Sequence, residues 1–205
     1  MNYSLLATKE AVGKAIASLK TKGYEVTVVK SGAEALEKIK VLIPTGTSVM
    51  NGSSVTLEQI GYIDLLKSGT HGWNNLHEAI VNEKDPEKQS KLRKEGVLSD
   101  FYLGSVHALI ENGEWIIASN TGSQLPHVVF TSPNLIFVVS TKKIVPTFEE
   151  GMKRLEEYVV PLEDKHMKEK YGMGTSLNKI VIFRNENPRM GRKIHMILVE
   201  EDIGY

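Results

Sequence analysis

The feature that most constrains the fold is the run NLIFVVS at residues 134–140. After its first residue this run is nearly all apolar, whereas a strand with one face in water alternates apolar and polar side chains. Such a run suits a strand that other elements cover on both faces. Residues 134–140 are therefore predicted to form a central strand of a sheet.

The order of the neighbouring elements indicates the fold class. A short β-branched run at residues 25–29 precedes a predicted helix at residues 32–40, for which Ser31 and Glu34 form a capping box. A second short strand follows at residues 48–50, and this alternation favours an α/β fold. Further helices are predicted at residues 56–66, 76–82, 86–96, 147–159 and 161–171. A chain of 205 residues can bury one large core, so we expect a single domain spanning residues 1–205.

A hairpin is predicted around Asn112 and Gly113, between strands at residues 101–110 and 115–119. The Asn-Gly dipeptide favours a tight turn because both central residues of that turn take positive φ. The last strands are predicted at residues 177–183 and 194–199. The expected architecture is an α/β fold with a mixed, largely parallel sheet flanked by helices and an antiparallel hairpin.

Composition excludes several classes of chemistry. The chain contains no cysteine, so it cannot hold a disulfide, a thiolate zinc site or an iron–sulfur cluster of its own. Its 25 basic and 25 acidic residues cancel, which argues against nucleic acid as a partner. No run approaches the roughly 18 apolar residues of a membrane span. We therefore expect a cytoplasmic protein with no membrane span.

Two polar loops follow apolar runs and are the candidate ligand-binding segments. We expect these strand-end loops to converge on one small anionic ligand, a carboxylate or a phosphate, because hydroxyl and amide groups can bind such an anion. Turns also collect these residue types, and the first loop could be a simple strand-to-helix turn capped by threonine. The candidate residues are Asn51, Gly52, Ser53, Ser54 and Thr56 in the first loop and Asn120, Thr121, Gly122, Ser123 and Gln124 in the second.

A third loop, YGMGTSLNKI at residues 171–180, ends with a candidate cation. Lys179 could neutralise an anion whose other contacts are neutral hydroxyls and amides. The alternative is that Lys179 lies on a solvated strand edge.

Catalytic residues cannot be assigned from the sequence. Asp100 could be a general base, a ligand-hydroxyl acceptor or the cap of a loop. Glu58 lies in the first turn of a predicted helix, where the helix dipole favours a carboxylate without any catalytic purpose. No nucleotide-binding glycine motif and no HExxH spacing occurs, so neither a cofactor nor a metal is expected.

Two longer segments, DFYLGSVHALIENGEWIIASNTGSQLP at residues 100–126 and VPLED at residues 160–164, resemble the LUD-domain family, which includes lactate-utilisation protein C. NGSSVTLEQIG at residues 51–61 is similar to an earlier loop of that family. The resemblance implies a fold similar to that of glucosamine-phosphate deaminases, ribose-phosphate isomerases and coenzyme A transferases. It also implies participation in lactate oxidation beside partner subunits that carry iron–sulfur clusters.

These observations lead to one functional hypothesis and two alternatives. The leading hypothesis is an accessory or small-anion-binding component of organic-acid oxidation by an iron–sulfur oxidoreductase. The first alternative is a stand-alone enzyme that acts on a sugar phosphate or an acyl-coenzyme A. The second is a non-catalytic interaction module. The oligomeric state stays open, and a homo-oligomer is one of the options.

Overall fold

The computed structural model describes residues 1–205, except for the side chain of Pro188. Its strands form two sheets. In chain order the strands are β1 (Glu25–Val29), β2 (Ser48–Asn51), β3 (Asn74–Asn75), β4 (Phe101–Gly104), β5 (Ala108–Ile110), β6 (Trp115–Ser119), β7 (Asn134–Ser140), β8 (Ile144–Val145), β9 (Lys179–Phe183) and β10 (Lys193–Val199).

The larger sheet has six strands in the order β1-β10-β7-β4-β2-β3, and all its neighbouring strands are parallel. Strand β7 lies between β10 and β4, which confirms its predicted central position. Leu135 and Phe137 belong to the core on one face, and Ile136 and Val138 belong to the core on the other. The all-apolar run is thus explained by helices and a second sheet that cover both faces.

The smaller sheet has four strands in the order β8-β5-β6-β9 and contains the hairpin of β5 and β6. The α/β class, the largely parallel sheet and the hairpin are confirmed, but the hairpin belongs to this second sheet. The predicted strand at residues 101–110 is in fact two strands. β4 pairs in the larger sheet, and β5 pairs in the smaller one. Both strands are apolar, so their composition does not reveal the crossing between sheets at residues 105–107.

The helices are α1 (Lys9–Thr21), α2 (Gly32–Leu42), α3 (Val55–Gln59), α4 (Tyr62–Ser68), α5 (Leu76–Asn82), α6 (Pro86–Glu95), α7 (Phe148–Arg154) and α8 (Val160–Tyr171). A π-helical turn, Leu155–Val159, joins α7 to α8, and a second, His127–Thr131, precedes β7. Short 3₁₀ turns occupy Gly96–Leu98, Thr141–Lys143 and Pro188–Met190. In the described part of the chain, no helix combines the length and apolar character needed to cross a membrane.

The helix predicted at residues 56–66 is divided into α3 and α4. Gly61 breaks it by adopting a φ of 81°, a conformation that favours glycine. The cap is Ser54 and not Thr56, because Ser54 Oγ accepts a hydrogen bond from the Leu57 amide at 3.3 Å. Thr56 is therefore inside the helix with its side chain buried. Its hydroxyl is available for a tertiary contact.

The elements pack in four layers. Helices α2, α3 and α4 cover one face of the larger sheet, while α1 and the smaller sheet cover the other. Helix α7 and the π-helical turn after it pack on the far side of the smaller sheet. The carboxyl ends of β2, β4 and β7 meet at one edge of the larger sheet, because these strands are parallel. That edge faces the loops of the smaller sheet.

Candidate anion-binding site

A cavity of about 290 Å³ lies at this edge of the larger sheet. Residues 52–56 follow β2, residues 104–107 begin with the last residue of β4, and Lys143 lies shortly after β7. All three segments line the cavity. The opposite wall comes from the loop after β6, from residues 175–177 before β9 and from α8. The ends of parallel strands are where ligands bind in open α/β sheets. The topology therefore places the polar loops around one pocket.

Most of the loop residues identified in the sequence line this cavity. Those that line it are Gly52, Ser53, Ser54, Thr56, Asn120, Thr121, Ser123 and Gln124. Asn51 is buried beside the cavity, and its Nδ2 donates to the Gly52 carbonyl at 3.1 Å. The first two loops thus meet in space.

Lys179 and Gly122 are not among the residues that line the cavity, and Lys179 is exposed on β9, an edge strand of the smaller sheet. Lys179 Nζ donates to the carbonyl oxygen of Asn120 at 3.1 Å, which ties β9 to the loop after β6. Gly122 has a φ of 86°, and a Cβ at this position would lie 2.9 Å from Lys179 Cδ. Their contacts show that both residues hold the loop in place. From the third loop it is Thr175, Ser176 and Leu177 that line the cavity.

The loop after β6 is held in one shape by its own side chains. Ser119 Oγ donates to Gln124 Oε1 at 2.8 Å and accepts from the Gly122 amide at 2.8 Å. Gln124 Nε2 donates to the carbonyl oxygen of Ala118 at 3.3 Å. Thr121 and Ser123 are exposed at the rim of the cavity. The loop therefore presents its rim hydroxyls from a preorganised backbone.

The loop after β2 makes a close approach to β4 that only glycine permits. A Cβ on Gly52 would lie 2.8 Å from the hydroxyl oxygen of Tyr102. Tyr102 is itself fixed by stacking on His127, with ring centroids 4.8 Å apart. Any larger residue at position 52 would push the loop away from the cavity floor.

The sequence reasoning missed Lys143, which is the basic residue at the floor of the cavity. Its exposed fraction is 2%, and it follows β7 in the 3₁₀ turn Thr141–Lys143. Its Nζ donates to Thr56 Oγ1 at 3.1 Å and to Ser105 Oγ at 3.0 Å. Ser105 Oγ in turn donates to the carbonyl oxygen of Val138 at 2.6 Å. The sequence did contain a signal for Lys143: it comes shortly after the apolar strand at residues 134–140, just as the two polar loops come after their own strands.

Lys143 has no carboxylate partner among the described residues, because no ion pair within 4.0 Å includes it. Burial holds the pKa of Lys143 well below the ordinary 10.5, and the positive charges of Arg154 and Lys142 lower it further. An isolated buried ammonium is costly, so an uncompensated lysine favours either the neutral amine or a bound anion. The cavity floor therefore favours an anionic ligand.

Arg154 adds a second buried basic group close to Lys143. It is fully buried, its Nη1 donates to the carbonyl oxygen of His107, and its Nε and Nη2 have no partner among the described residues. The guanidinium carbon lies 5.9 Å and 5.3 Å from the ring centroids of Tyr3 and Tyr158. Burial lowers the pKa of Arg154 to about 10, so the guanidinium is still charged at neutral pH. Its charge strengthens the attraction of this region for anions.

His107, on the cavity wall, is a neutral imidazole. Burial lowers its pKa to about 3, and the charges of Lys143 and Arg154 contribute to that shift. Its Nδ1 accepts a hydrogen bond from the Ala118 amide at 3.0 Å, which leaves the proton on Nε2. His107 therefore offers a hydrogen-bond donor without adding a positive charge.

Residues near the carboxyl end of the described chain close the cavity beside Lys143. Tyr205 lines the cavity, and its hydroxyl donates to Glu163 Oε2, whose carboxyl group also lines it. The Gly204 amide donates to Gln59 Oε1 at 2.6 Å. A Cβ on Gly204 would lie 2.0 Å from Thr56 Oγ1 and 3.0 Å from Lys143 Nζ, so this segment packs directly on the lysine.

The two candidate acids do not line the cavity. Asp100 precedes β4 at its amino end, about 13 Å along the strand from Gly104 at the cavity. Its Oδ2 accepts hydrogen bonds from the amide and the hydroxyl of Ser48 at 2.8 Å and 2.6 Å. Asp100 therefore links the start of β4 to the start of β2. Glu58 Oε1 forms an ion pair with Lys170 Nζ at 2.7 Å. Asp100 thus lies at the end of β4 away from the pocket, which favours the structural role over that of a general base.

Comparison with known proteins agrees with this architecture. Residues 12–199 match the family described as LUD domain. The fold is similar to the crystal structure of a DUF162 family protein from Deinococcus radiodurans, with a TM-score of 0.57 and 14% identity over 95% of this chain and 99% of that one. A search of curated proteins gives no match. At this identity the structural likeness concerns the fold, whereas the family match covers most of the sequence. The chain therefore belongs to the LUD-domain family, and this membership supports, in general terms, a role associated with lactate utilisation.

Proposed function

We propose that this protein acts in the cytoplasm and binds a small organic acid of the size of lactate or pyruvate, as an accessory component of organic-acid oxidation. The ligand occupies the cavity beside Lys143, and its carboxylate contacts the hydroxyl and amide groups of the loops after β2 and β6. The proposed partner is an oxidoreductase that carries iron–sulfur clusters, as the family resemblance implies. A chain without cysteine fits the role of a subunit that holds no cluster itself.

The observation that carries the proposal is the uncompensated burial of Lys143. In the described structure the other buried lysine, Lys142, forms an ion pair with Asp202. Lys143 instead lines a cavity and donates only to two neutral hydroxyls. A carboxylate in the cavity would offset the positive charge of Arg154 and would stabilise the charged form of Lys143, which burial otherwise disfavours. Charge complementarity thus favours an anion over a neutral ligand.

The size of the cavity narrows the ligand class. At about 290 Å³ it lies near the lower end of ligand pockets, which span roughly 300–1,000 Å³. A three-carbon acid fits within that volume, whereas the nucleotide part of coenzyme A does not. The dimensions therefore favour the small-acid hypothesis over an enzyme that encloses an acyl-coenzyme A.

Thermal unfolding in the presence of lactate, pyruvate or inorganic phosphate tests this proposal. An acid at about one hundred times its dissociation constant adds roughly 2.7 kcal/mol to the free energy of unfolding. For a domain of this size the melting temperature rises by roughly 2–4 °C for each kcal/mol, so the shift is several degrees. We expect that shift with the three-carbon acids.

The matched variants are Lys143→Met and Lys142→Met, which change adjacent lysines. The shift should disappear in Lys143→Met and persist in Lys142→Met, because only Lys143 lines the cavity. Equal shifts in both variants would contradict the assigned site. The oxidoreductase role has a separate test: the tagged protein should copurify with an iron–sulfur subunit, and normal lactate oxidation after gene deletion would count against that role.

A further inference from the structure

The geometry points to Lys143 as a nucleophile that forms a reversible imine with the keto carbon of a small 2-oxo acid bound in the cavity. This inference rests on the proposed function, because the acid must first enter the cavity. It adds a covalent step that distinguishes 2-oxo acids from 2-hydroxy acids. An anion-binding role alone does not require this step.

The hydrogen bonds of Lys143 match a neutral amine. A neutral Nζ carries two protons, and the structure provides two acceptors, Thr56 Oγ1 at 3.1 Å and Ser105 Oγ at 3.0 Å. An ammonium carries three protons and would leave one of them without a partner among the described residues. With both protons donated, the lone pair on Nζ is left for a ligand. Burial acts in the same direction, because it lowers the pKa of Lys143.

The amine is also held in place and accessible to a ligand. Thr56 belongs to α3 and Ser105 follows β4, so two separate elements fix the position of Nζ. Ser105 is itself anchored, because its hydroxyl donates to the Val138 carbonyl of β7. Lys143 lines the cavity although its exposed fraction is only 2%, so its amine is shielded from bulk solvent. Desolvated lysines in such positions are those that form Schiff bases with carbonyl substrates.

Lys142 shows how a structural lysine behaves in the same turn. It is also largely buried, but its Nζ forms an ion pair with Asp202, and Lys142 does not line the cavity. A lysine that serves only to stabilise the fold would be expected to make such a pair. Lys143 differs from it in both partner and location.

The step balances without a redox partner. The Nζ lone pair attacks the keto carbon of the acid and forms a carbinolamine. The keto oxygen then leaves as water with the two protons that Nζ originally carried, and a carbon–nitrogen double bond remains. The imine takes one proton from solvent when it becomes an iminium. Water reverses the sequence and releases the acid.

Reductive trapping tests the inference. The full chain is incubated with pyruvate and sodium cyanoborohydride, and its mass is measured intact and after digestion. We expect one 1-carboxyethyl group per chain, attached to Lys143. Lactate with the same reagent should give no adduct, because it has no carbonyl group. An excess of lactate added with pyruvate should reduce the adduct by competing for the cavity.

The controls use the same pair of lysine variants. Lys142→Met should keep the adduct, and Lys143→Met should lose it. The mapping of the adduct in the unchanged protein does not depend on whether either variant folds. A thermal shift with lactate and pyruvate but no adduct on Lys143 would overturn the imine and leave the proposed function intact. The absence of any shift with these acids would overturn both.

Discussion

The unpaired burial of Lys143 predicts a specific dependence of stability on pH. The side chain has an exposed fraction of 2%, and its pKa in the folded protein is well below the 10.5 of an ordinary lysine. The unfolded chain therefore binds a proton at this site more readily than the folded protein does. Between these two pKa values, the free energy of unfolding must rise as the pH rises.

The size of the effect follows from proton linkage. One proton that is bound in the unfolded state and absent from the folded state contributes at most about 1.4 kcal/mol per pH unit. The contribution begins above the depressed pKa of the folded protein and ends near 10.5, the ordinary lysine value. Below that window both states are protonated, and the folded protein has the full cost of the buried charge.

Lys143→Met removes this titration. The variant also leaves Thr56 Oγ1 and Ser105 Oγ without the lysine as a donor, at a cost of roughly 1–3 kcal/mol if either group is left unsatisfied. The change in stability at a single pH therefore mixes two opposing effects. The slope of stability against pH isolates the charge, because the lost hydrogen bonds do not titrate.

The assay is urea denaturation at several pH values from neutral up to roughly 10, just below the ordinary lysine pKa at which the effect ends. We expect the free energy of unfolding of Lys143→Met to rise less steeply with pH than that of the unchanged protein, by up to about 1.4 kcal/mol per pH unit. Lys142→Met should retain most of the original slope. Identical slopes for the unchanged protein and Lys143→Met would refute the claim that Lys143 is buried without compensation.

Two further predictions concern residues around the cavity and on the opposite edge of the sheet. Gly204→Ala should lower stability by about 1–3 kcal/mol and weaken the thermal shift with lactate, because its Cβ would lie 2.0 Å from Thr56 Oγ1. Gly172→Ala is the matched control in thermal unfolding. Gly172 also has a positive φ, 70°, but no atom lies within 4 Å of the position that its Cβ would take. A larger loss of stability in Gly172→Ala than in Gly204→Ala would contradict the packing argument. Asp100→Asn should leave lactate binding unchanged. A loss of binding, measured by calorimetry, would show that Asp100 contributes to the binding site. The hydrogen bonds from Ser48 lower the pKa of Asp100, so they stabilise the folded protein at pH values above the ordinary carboxyl pKa of 3.8. In the unchanged protein this stabilisation is lost on acidification. Asp100→Asn should lack this pH-dependent contribution.

Local patterns were sufficient to predict most of the secondary structure. Asp85 caps α6, with Pro86 at the first helical position, and its Oδ1 accepts from the Glu87 amide at 2.9 Å. The Ser31 cap of α2 is also present, with its side chain accepting from the Glu34 amide. These features involve residues only a few positions apart, so the interactions that determine them are visible in the sequence. The error at residues 56–66 was also local, because Gly61 could have been recognised as a break.

The candidate site was predictable in location but not in composition. Polar loops after apolar strands indicated the pocket edge, and the loops after β2 and β6 do line one cavity. Lys179, the cation predicted for the site, is engaged with the Asn120 carbonyl, whereas Lys143 lies on the cavity floor. No pattern around Lys142 and Lys143 indicates that one pairs with Asp202 and the other has no carboxylate partner.

The sequence by itself determined the α/β class, because residues 134–140 are apolar on both faces of a strand and the surrounding elements alternate. It also determined the absence of thiolate chemistry, because the chain has no cysteine. Tertiary structure decided which polar groups meet: parallel pairing brings the ends of β2, β4 and β7 together and separates Asp100 from them by the length of a strand. It also decided the charge state of the pocket. The pKa of a lysine depends on burial and on nearby charges, and for Lys143 both the burial and the approach of Arg154 come from the tertiary structure.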